Sequence, residues 1–243
     1  MSRKVALVTG ASRGIGAEIA LRLAKAGYDV VVNYASKQQE AQAVVDRLKE
    51  TGVDAMAIQG DVSDAVAVAA LFATTLKTFG RVDLLVNNAG VLKMLPLVEH
   101  DDALFNRTFA VNVQGTFNTL REAGRHMQEG GKIINLSSSA LALNMPGYAI
   151  YNGTKAAIEA FTRTFAKELR GRKITVNAVA PGPVETELFL DGKSDEQIRS
   201  LANLNPLQRL GQPDDIAAVI LFLAGDESGW INGQVIRANG GMV

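Results

Sequence analysis

The stretch Lys4-Val5-Ala6-Leu7-Val8-Thr9-Gly10-Ala11-Ser12-Arg13-Gly14-Ile15-Gly16 lies near the start of the chain, and its reading decides the fold. The apolar run from Val5 to Val8 is too short, and too soon followed by glycine, to be the apolar region of a signal peptide. It reads as a strand buried on both faces. The glycines behind it permit a tight turn, let a backbone approach a pyrophosphate closely, and leave the free amides and positive dipole end of a helix N-terminus for phosphates. The spacing is Gly-x3-Gly-x-Gly, which departs from the Gly-x-Gly-x2-Gly of the common dinucleotide fingerprint. A tight strand-to-helix connection with no ligand would use the same glycines.

Outward from this turn, short β-branched runs alternate with longer amphipathic stretches. Strands are predicted at 4–9, 29–33, 53–59, 82–87, 132–138, 174–180 and 234–238, with helices near 14–26, 37–51, 64–79, 101–125, 151–170 and 213–224. That alternation implies an α/β fold: a doubly wound, seven-stranded parallel sheet with helices on both faces, built as one domain over residues 1–243. Glycine and proline fall at element ends, as in Ala26-Gly27 and Pro181-Gly182-Pro183. The stretch from Gly182 to Gly211 has no strand character. A loop of that length in a compact domain is usually functional, so a substrate lid is expected over about 183–211.

The remaining composition excludes several classes. Hydrophobic residues make up 47% and charged residues 21% of the 243, enough apolar surface for a sheet covered on both faces. Lys+Arg and Asp+Glu balance at 25 each, so no net field favours nucleic acid or an anionic membrane surface. There is no cysteine, which removes thiolate chemistry and disulfides and suits a reducing cytoplasm. His100 and His126 are too far apart in sequence to suggest a metal site. No apolar run approaches the ~18–20 residues of a membrane-spanning helix.

At the end of the second predicted strand, Asn33-Tyr34-Ala35-Ser36-Lys37 carries no carboxylate where an NAD-binding fold places one against the ribose 2′-hydroxyl. A 2′-phosphate would meet no repulsion there. Arg13 and Lys37 supply cations and Ser36 a hydrogen-bond donor, so NADP is expected over NAD. The same two cations also fit ordinary solvated surface positions.

Tyr151-Asn152-Gly153-Thr154-Lys155 places a phenol and an ammonium at i and i+4 on one helix face. A free phenol has a pKa near ~10, and a neighbouring cation favours its ionised form, which suits a general acid/base. A tyrosine ring packed on a lysine stem at a helix surface would show the same spacing. Thirteen residues earlier stands Ser138, in Ser137-Ser138-Ser139 at the end of a central strand. There an open α/β sheet binds its ligand.

Taken together, the turn at 9–16, Asn87-Asn88-Ala89-Gly90, Ser138, Tyr151, Lys155, and Pro181-Gly182 followed by Thr186 resemble the short-chain dehydrogenase/reductase family, in its order and over essentially the whole chain. The resemblance implies a Rossmann-type fold and hydride transfer between a nicotinamide and a carbonyl or alcohol. By it, Tyr151 protonates the carbonyl oxygen, Lys155 holds the nicotinamide ribose and lowers the phenol pKa, and Ser138 hydrogen-bonds the carbonyl; Ser137 and Ser139 are less well placed. Asn112 matches the asparagine that holds a water in a proton relay to the lysine, although it also fits a buried residue bonding backbone. The implied cofactor residues are Gly10, Ser12, Arg13, Gly14, Ile15, Gly16, Asn33, Tyr34, Ala35, Ser36, Lys37, Asp61, Val62, Asn88, Ala89, Gly90, Tyr151, Lys155, Pro181, Gly182, Val184 and Thr186. Of these, Asp61-Val62 would meet adenine and Thr186 the carboxamide, while Asn87 would fix the strand beneath; Asp61 equally fits a helix cap. A homotetramer is implied, with dimer contacts through the helices near 101–125 and 151–170.

Within the family the likeness is to 3-oxoacyl-acyl-carrier-protein reductases, through the glycine turn, Ile174-Thr175-Val176-Asn177 and Asn239-Gly240-Gly241-Met242. Those enzymes dock an acidic carrier protein on basic residues. Arg172 fits that role, whereas Gln128-Glu129-Gly130 puts an acid where a second base is expected. Leu188, Phe189 and Leu190 suggest an apolar side to the pocket. The expected activity is NADPH-dependent carbonyl reduction, with a 3-oxoacyl thioester and acyl carrier protein as one option and a sugar, steroid-like or other secondary alcohol as another. A non-catalytic NADP-sensing module is the reading from another class.

Overall fold

Alternating side chains along short strands set the architecture. In β1 (Val5–Val8), Ala6 and Val8 enter one apolar core and Leu7 the other; β2 (Asp29–Tyr34) sends Val30 and Val32 one way and Val31 the other. β4 (Leu84–Asn87) and β5 (Lys132–Leu136) repeat the pattern, with Leu84, Val86 and Ile134 opposite Leu85 and Ile133. A strand with no polar face must be covered twice, and the connecting helices do so. The computed structural model describes residues 3–243.

The remaining strands are β3 (Ala55–Gln59), β6 (Thr175–Pro181) and β7 (Val235–Ala238). All seven pair in parallel in the order β3-β2-β1-β4-β5-β6-β7. α1 (Gly14–Lys25), α2 (Gln38–Lys49) and the later α10 (Pro213–Ala224) supply Ile19, Leu23, Leu48, Ile216 and Ile220 to the first core. α3 (Ala65–Phe79), α5 (Gly115–His126) and α7 (Ala149–Glu168) cover the second, with Leu71, Phe72 and Leu120. Each fully buried Leu, Ile or Phe contributes about 1.5–3 kcal/mol. No helix among the described residues is long and apolar enough to cross a membrane.

Strand order reverses between β1 and β4, so the turns after these two strands face each other across the crevice where open sheets bind ligands. Thr9 ties them together. Its amide donates to Val86 O at 3.0 Å, and its hydroxyl accepts from the amides of Asn88 at 3.0 Å and Ala89 at 3.1 Å. The approach is so close that a Cβ on Gly10 would lie 2.8 Å from Ala89 Cα, and Gly10 has a φ of +61°. Gly10→Ala is therefore expected to destabilise the fold by about 1–3 kcal/mol, the usual magnitude for backbone held in a disfavoured region. Urea unfolding measures this, and an unchanged midpoint would show that the β4 loop yields freely.

Four local features differ from the sequence expectation. The helix expected near 101–125 is α4 (Asp102–Phe109), a π turn over Ala110–Gln114, and α5. The helix expected at 151 begins two residues earlier, at Ala149. The segment from Gly182 to Gly211 carries two short helices: α8 (Glu187–Leu190), capped by Thr186, and α9 (Asp195–Ala202), held by a Ser194/Gln197 capping box. A single-turn helix, α6 (Ala140–Leu143), follows β5.

Candidate active site

Along the carboxyl ends of β1, β2 and β4 runs a groove of about 560 Å³. It is lined by Gly10, Ser12, Arg13, Gly14, Ile15 and Gly16 of the first turn, by Asn33, Tyr34, Ala35, Ser36 and Lys37 after β2, and by Asp61, Val62, Asn88, Ala89 and Gly90. Asn33 shapes this wall, since its side chain donates to Gly60 O at 3.0 Å and accepts from the Gly10 amide at 3.4 Å. Asn88 does the same for the glycine turn, donating to the carbonyls of Thr9 and Gly10 at 3.0 Å each. A second cavity of about 170 Å³ adjoins the groove and shares Ile15, Asn88, Gly90, Thr186 and Leu188 with it.

Ser138, Tyr151 and Lys155 all line this second cavity, as do Pro181, Gly182 and Val184. The three successive serines are sorted by their partners. Ser137 donates to Glu159 at 2.8 Å and Ser139 to Ala180 O at 2.9 Å, both buried. Ser138 is held by neither: its hydroxyl accepts from the Ala140 amide at 3.2 Å, and it lines the cavity together with Tyr151. Lys155 lies one helical turn beyond Tyr151 on α7, its ammonium 5.4 Å from the centre of the phenol ring and donating to Leu136 O at 2.7 Å. Asn87 and Asn135, bonded at 2.8 Å beneath this region, tie β4 to β5, and Asn135 donates onward to Thr162 of α7 at 2.9 Å.

Burial dominates the electrostatics. It pushes the Tyr151 phenol up to about 12, against a hydrogen bond from Ser138 that lowers it and with a further rise from Tyr148. It also pulls Lys155 down to about 8. The ammonium sits over the phenol ring and is held by a carbonyl, and burial sets the direction of the phenol's shift. The phenol therefore holds its proton throughout the neutral range.

Other expected residues are engaged in ways that spacing did not reveal. The Asn112 side chain lies in the π turn, fully buried, and is taken up by Val91: it accepts from the amide at 2.8 Å and donates to the carbonyl at 2.9 Å, with a further bond to Thr154 at 3.1 Å. It thus clamps the loop after β4 to α7, through backbone of that loop and not of its own helix. Asp61 accepts from the amide and hydroxyl of Ser63 at 2.9 and 2.7 Å and from Arg107 at 3.0 Å. Burial raises its pKa, but the bonds from Ser63 and Arg107 win and hold it low. The cap of α3 is Asp64. Thr186 caps α8, accepting from the Phe189 amide at 3.2 Å.

Both cations expected at a 2′-phosphate have protein partners: Arg13 pairs with Glu187 at the start of α8, and Lys37 with Glu40 at 3.2 Å. Arg107 and Glu187, which also line the groove, were not legible in sequence, because both reach it from elements remote in the chain. Arg172, which fits a carrier-protein docking role in the sequence, also has backbone partners. Its guanidinium donates to Gly124 O and Met127 O, satisfying carbonyls at the end of α5, and Glu129 pairs with Lys173 at 2.9 Å.

Known proteins share this arrangement across their length. The family described as "Enoyl-(Acyl carrier protein) reductase" matches residues 10–243. Versicolorin reductase 1 of Aspergillus parasiticus is 46% identical over 98% of this chain and 95% of its own length. A 3-oxoacyl-acyl-carrier-protein reductase of Staphylococcus aureus is also 46% identical, over 98% of both chains. A short-chain dehydrogenase from Burkholderia cenocepacia, solved in complex with NADP, superposes with a TM-score of 0.94 at 38% identity, covering 99% of this chain and 98% of that one. With a sheet, a glycine turn and a Ser-Tyr-Lys cluster of this kind, and relatives this close along its whole length, the chain belongs to the short-chain dehydrogenase/reductase family of oxidoreductases.

Proposed function

We propose that this protein reduces a carbonyl to a hydroxyl with NADPH. The observation that carries the reading is the meeting of Ser138, Tyr151 and Lys155 on the wall of the smaller cavity, which adjoins the long groove. Tyr151 donates its proton to the carbonyl oxygen as charge develops there, and Ser138 hydrogen-bonds the same oxygen. Lys155 holds the nicotinamide ribose, and Asn112 positions α7 against the β4 loop. The segment over 183–211 acts as the lid.

The residues present fit a dinucleotide. Gly10 admits no Cβ, so the turn stays narrow, and the α1 N-terminus opens onto the groove with no acidic residue in its first turn. Gly10 through Gly16 would hold the phosphates, Asp61 and Val62 the adenine, residues 33–37 the ribose end, and Asn88 through Gly90, Pro181, Gly182, Val184 and Thr186 the nicotinamide end. When bound there, the cofactor supplies the hydride. The NADP bound to the Burkholderia relative supports this choice. Arg13→Ala is expected to weaken NADPH at least about tenfold more than NADH, since only one has the extra phosphate for a charge-assisted bond. Titration by cofactor fluorescence checks it, and equal weakening would contradict the NADP preference.

The names of the relatives support two substrate options, a 3-oxoacyl thioester presented by acyl carrier protein and a ketone of another kind. The exposed Phe105 of α4 and Phe117 of α5 support a homotetramer, and the cysteine-free composition a cytoplasmic setting. Absorbance of NADPH, followed with a panel of ketones and a 3-oxoacyl thioester, tests the function. Consumption supports it; tight NADPH binding with no turnover would favour the sensing module instead.

A further inference from the structure

Three consecutive residues at the end of β5 are each hydrogen-bonded to one face of α7. The Asn135 side chain donates to Thr162 Oγ1 at 2.9 Å, Leu136 O accepts from Lys155 Nζ at 2.7 Å, and Ser137 Oγ donates to Glu159 Oε1 at 2.8 Å. The α7 partners stand at i, i+4 and i+7, so they share one side of the helix, and Tyr151 extends the same stripe by one turn. An apolar stripe would hold the two elements together equally well. Hydrogen bonds also fix their register, because each demands one distance and one direction.

The last of the three bonds involves a residue with no part in the chemistry above. The Glu159 side chain is only 17% exposed, and its other oxygen lies 3.7 Å from the more exposed Arg163, one turn further along α7. A carboxylate loses least when it faces water, so a glutamate turned inward needs a partner there. Ser137 is that partner, and a hydroxyl donating to a carboxylate makes one of the stronger hydrogen bonds. On the other side of Ser138, Ser139 donates to Ala180 O at 2.9 Å and accepts from the Asn239 side chain at 3.0 Å. Ser138 thus stands between two anchored neighbours. Of these two anchors, the one at Ser137 reaches the helix that carries Tyr151 and Lys155.

We propose that Glu159 is a positioning residue: by holding Ser137 it sets Ser138 in register with Tyr151, so that one carbonyl oxygen can meet both hydroxyls. The inference rests on the carbonyl-reductase reading of the same site. Glu159 touches no reacting atom and acts through the strand end alone. Without its bond, β5 and α7 remain joined through Asn135 and Lys155, but the end of the strand that carries Ser138 is free to shift. Small displacements of a group that acts on the reacting atoms lower the rate steeply.

The test follows kcat and KM for trifluoroacetophenone and for acetoacetyl-coenzyme A with NADPH, alongside NADPH affinity by fluorescence titration. In Glu159→Leu and in Ser137→Ala, kcat is expected to fall about tenfold, the scale of one hydrogen bond to a charged group, with NADPH affinity within about twofold of wild type. The double variant should be no slower than the slower single one, because both substitutions remove the same contact. Glu159→Gln keeps an acceptor and should stay within about threefold of wild type, since a neutral bond has about half the strength of a charged one. Ser137→Ala is the milder change and tests the same contact should Glu159→Leu fail to fold. Unchanged kcat in Ser137→Ala, single effects that multiply in the double variant, or Glu159→Gln as slow as Glu159→Leu would overturn this inference and leave the carbonyl-reductase reading standing. Consumption of neither substrate by the wild type would overturn that reading and this inference with it.

Discussion

Tyr151→Phe is expected to lower kcat/KM for ketone reduction by at least about 100-fold, the lower end of what a positioned proton donor contributes, while leaving NADPH affinity nearly intact. The reason lies in the two demands on the phenol. Its ring packs edge-on to Tyr148 and under the Lys155 ammonium, and the substitution preserves those contacts. Its proton, held firmly by a pKa of about 12, is the only thing removed. Steady-state rates and a cofactor titration on the same preparation separate the effects. Near-normal turnover would show that another donor protonates the product.

Lys155→Met is expected to abolish most turnover and also to change how stability depends on pH. The native ammonium has its pKa lowered to about 8 by burial, whereas the unfolded chain holds it at 10.5. Between those values the unfolded state binds more protons, so wild-type stability gains from this residue as pH rises, and below pH 8 the buried charge is a full penalty. A difference of about 2.5 pKa units corresponds to about 3 kcal/mol. Urea unfolding of wild type and variant at pH 7 and pH 10.5 should show wild type gaining most of that amount relative to the variant. Tyr151 works in the opposite sense, since its pKa lies above the unfolded value and its contribution is lost as pH rises from 10 toward 12; it is present in both proteins and cancels. A difference that stays flat between the two pH values would mean that burial does not govern Lys155.

The parts of the fold that came from local chemistry were legible in the sequence. Apolar β-branched runs bounded by glycine gave seven strands, and the turn at 9–16 gave the crevice, because both depend on neighbours a few residues apart. The groove and cavity contain every residue named from the glycine turn, the Asn33 to Lys37 run and the Ser-Tyr-Lys spacing except where a side chain serves the loop beside it, as with Asn112. Long-range partners were the ones missed. Nothing near Arg13 announces Glu187, 174 positions away, and nothing near Arg172 announces the open end of α5. The π turn at Ala110–Gln114 carries no glycine or proline to mark it. The three serines could be ordered only weakly by spacing, since what separates Ser138 from its neighbours is that Glu159 and Ala180 already hold the other two.

The segment after β6 links the two halves of the site. Arg13 reaches from the glycine turn to Glu187 on α8, while Gln212 at the far end of the segment bonds Glu185 at 2.7 Å. The same segment contributes Leu188 and Phe189 to the cavity. One short stretch of chain thus borders both the groove and the cavity.

The most direct measurement of the central claim is a crystal structure of the protein with NADPH bound. The account predicts the phosphates against the amides of Gly14 to Gly16, the 2′-phosphate near Arg13, Ser36 and Lys37, and the nicotinamide at the junction of groove and cavity, with its ribose on Lys155 and the Tyr151 phenol facing the open space above the ring. A nicotinamide lying elsewhere, or a Tyr151 hydroxyl turned away from that space, would contradict it.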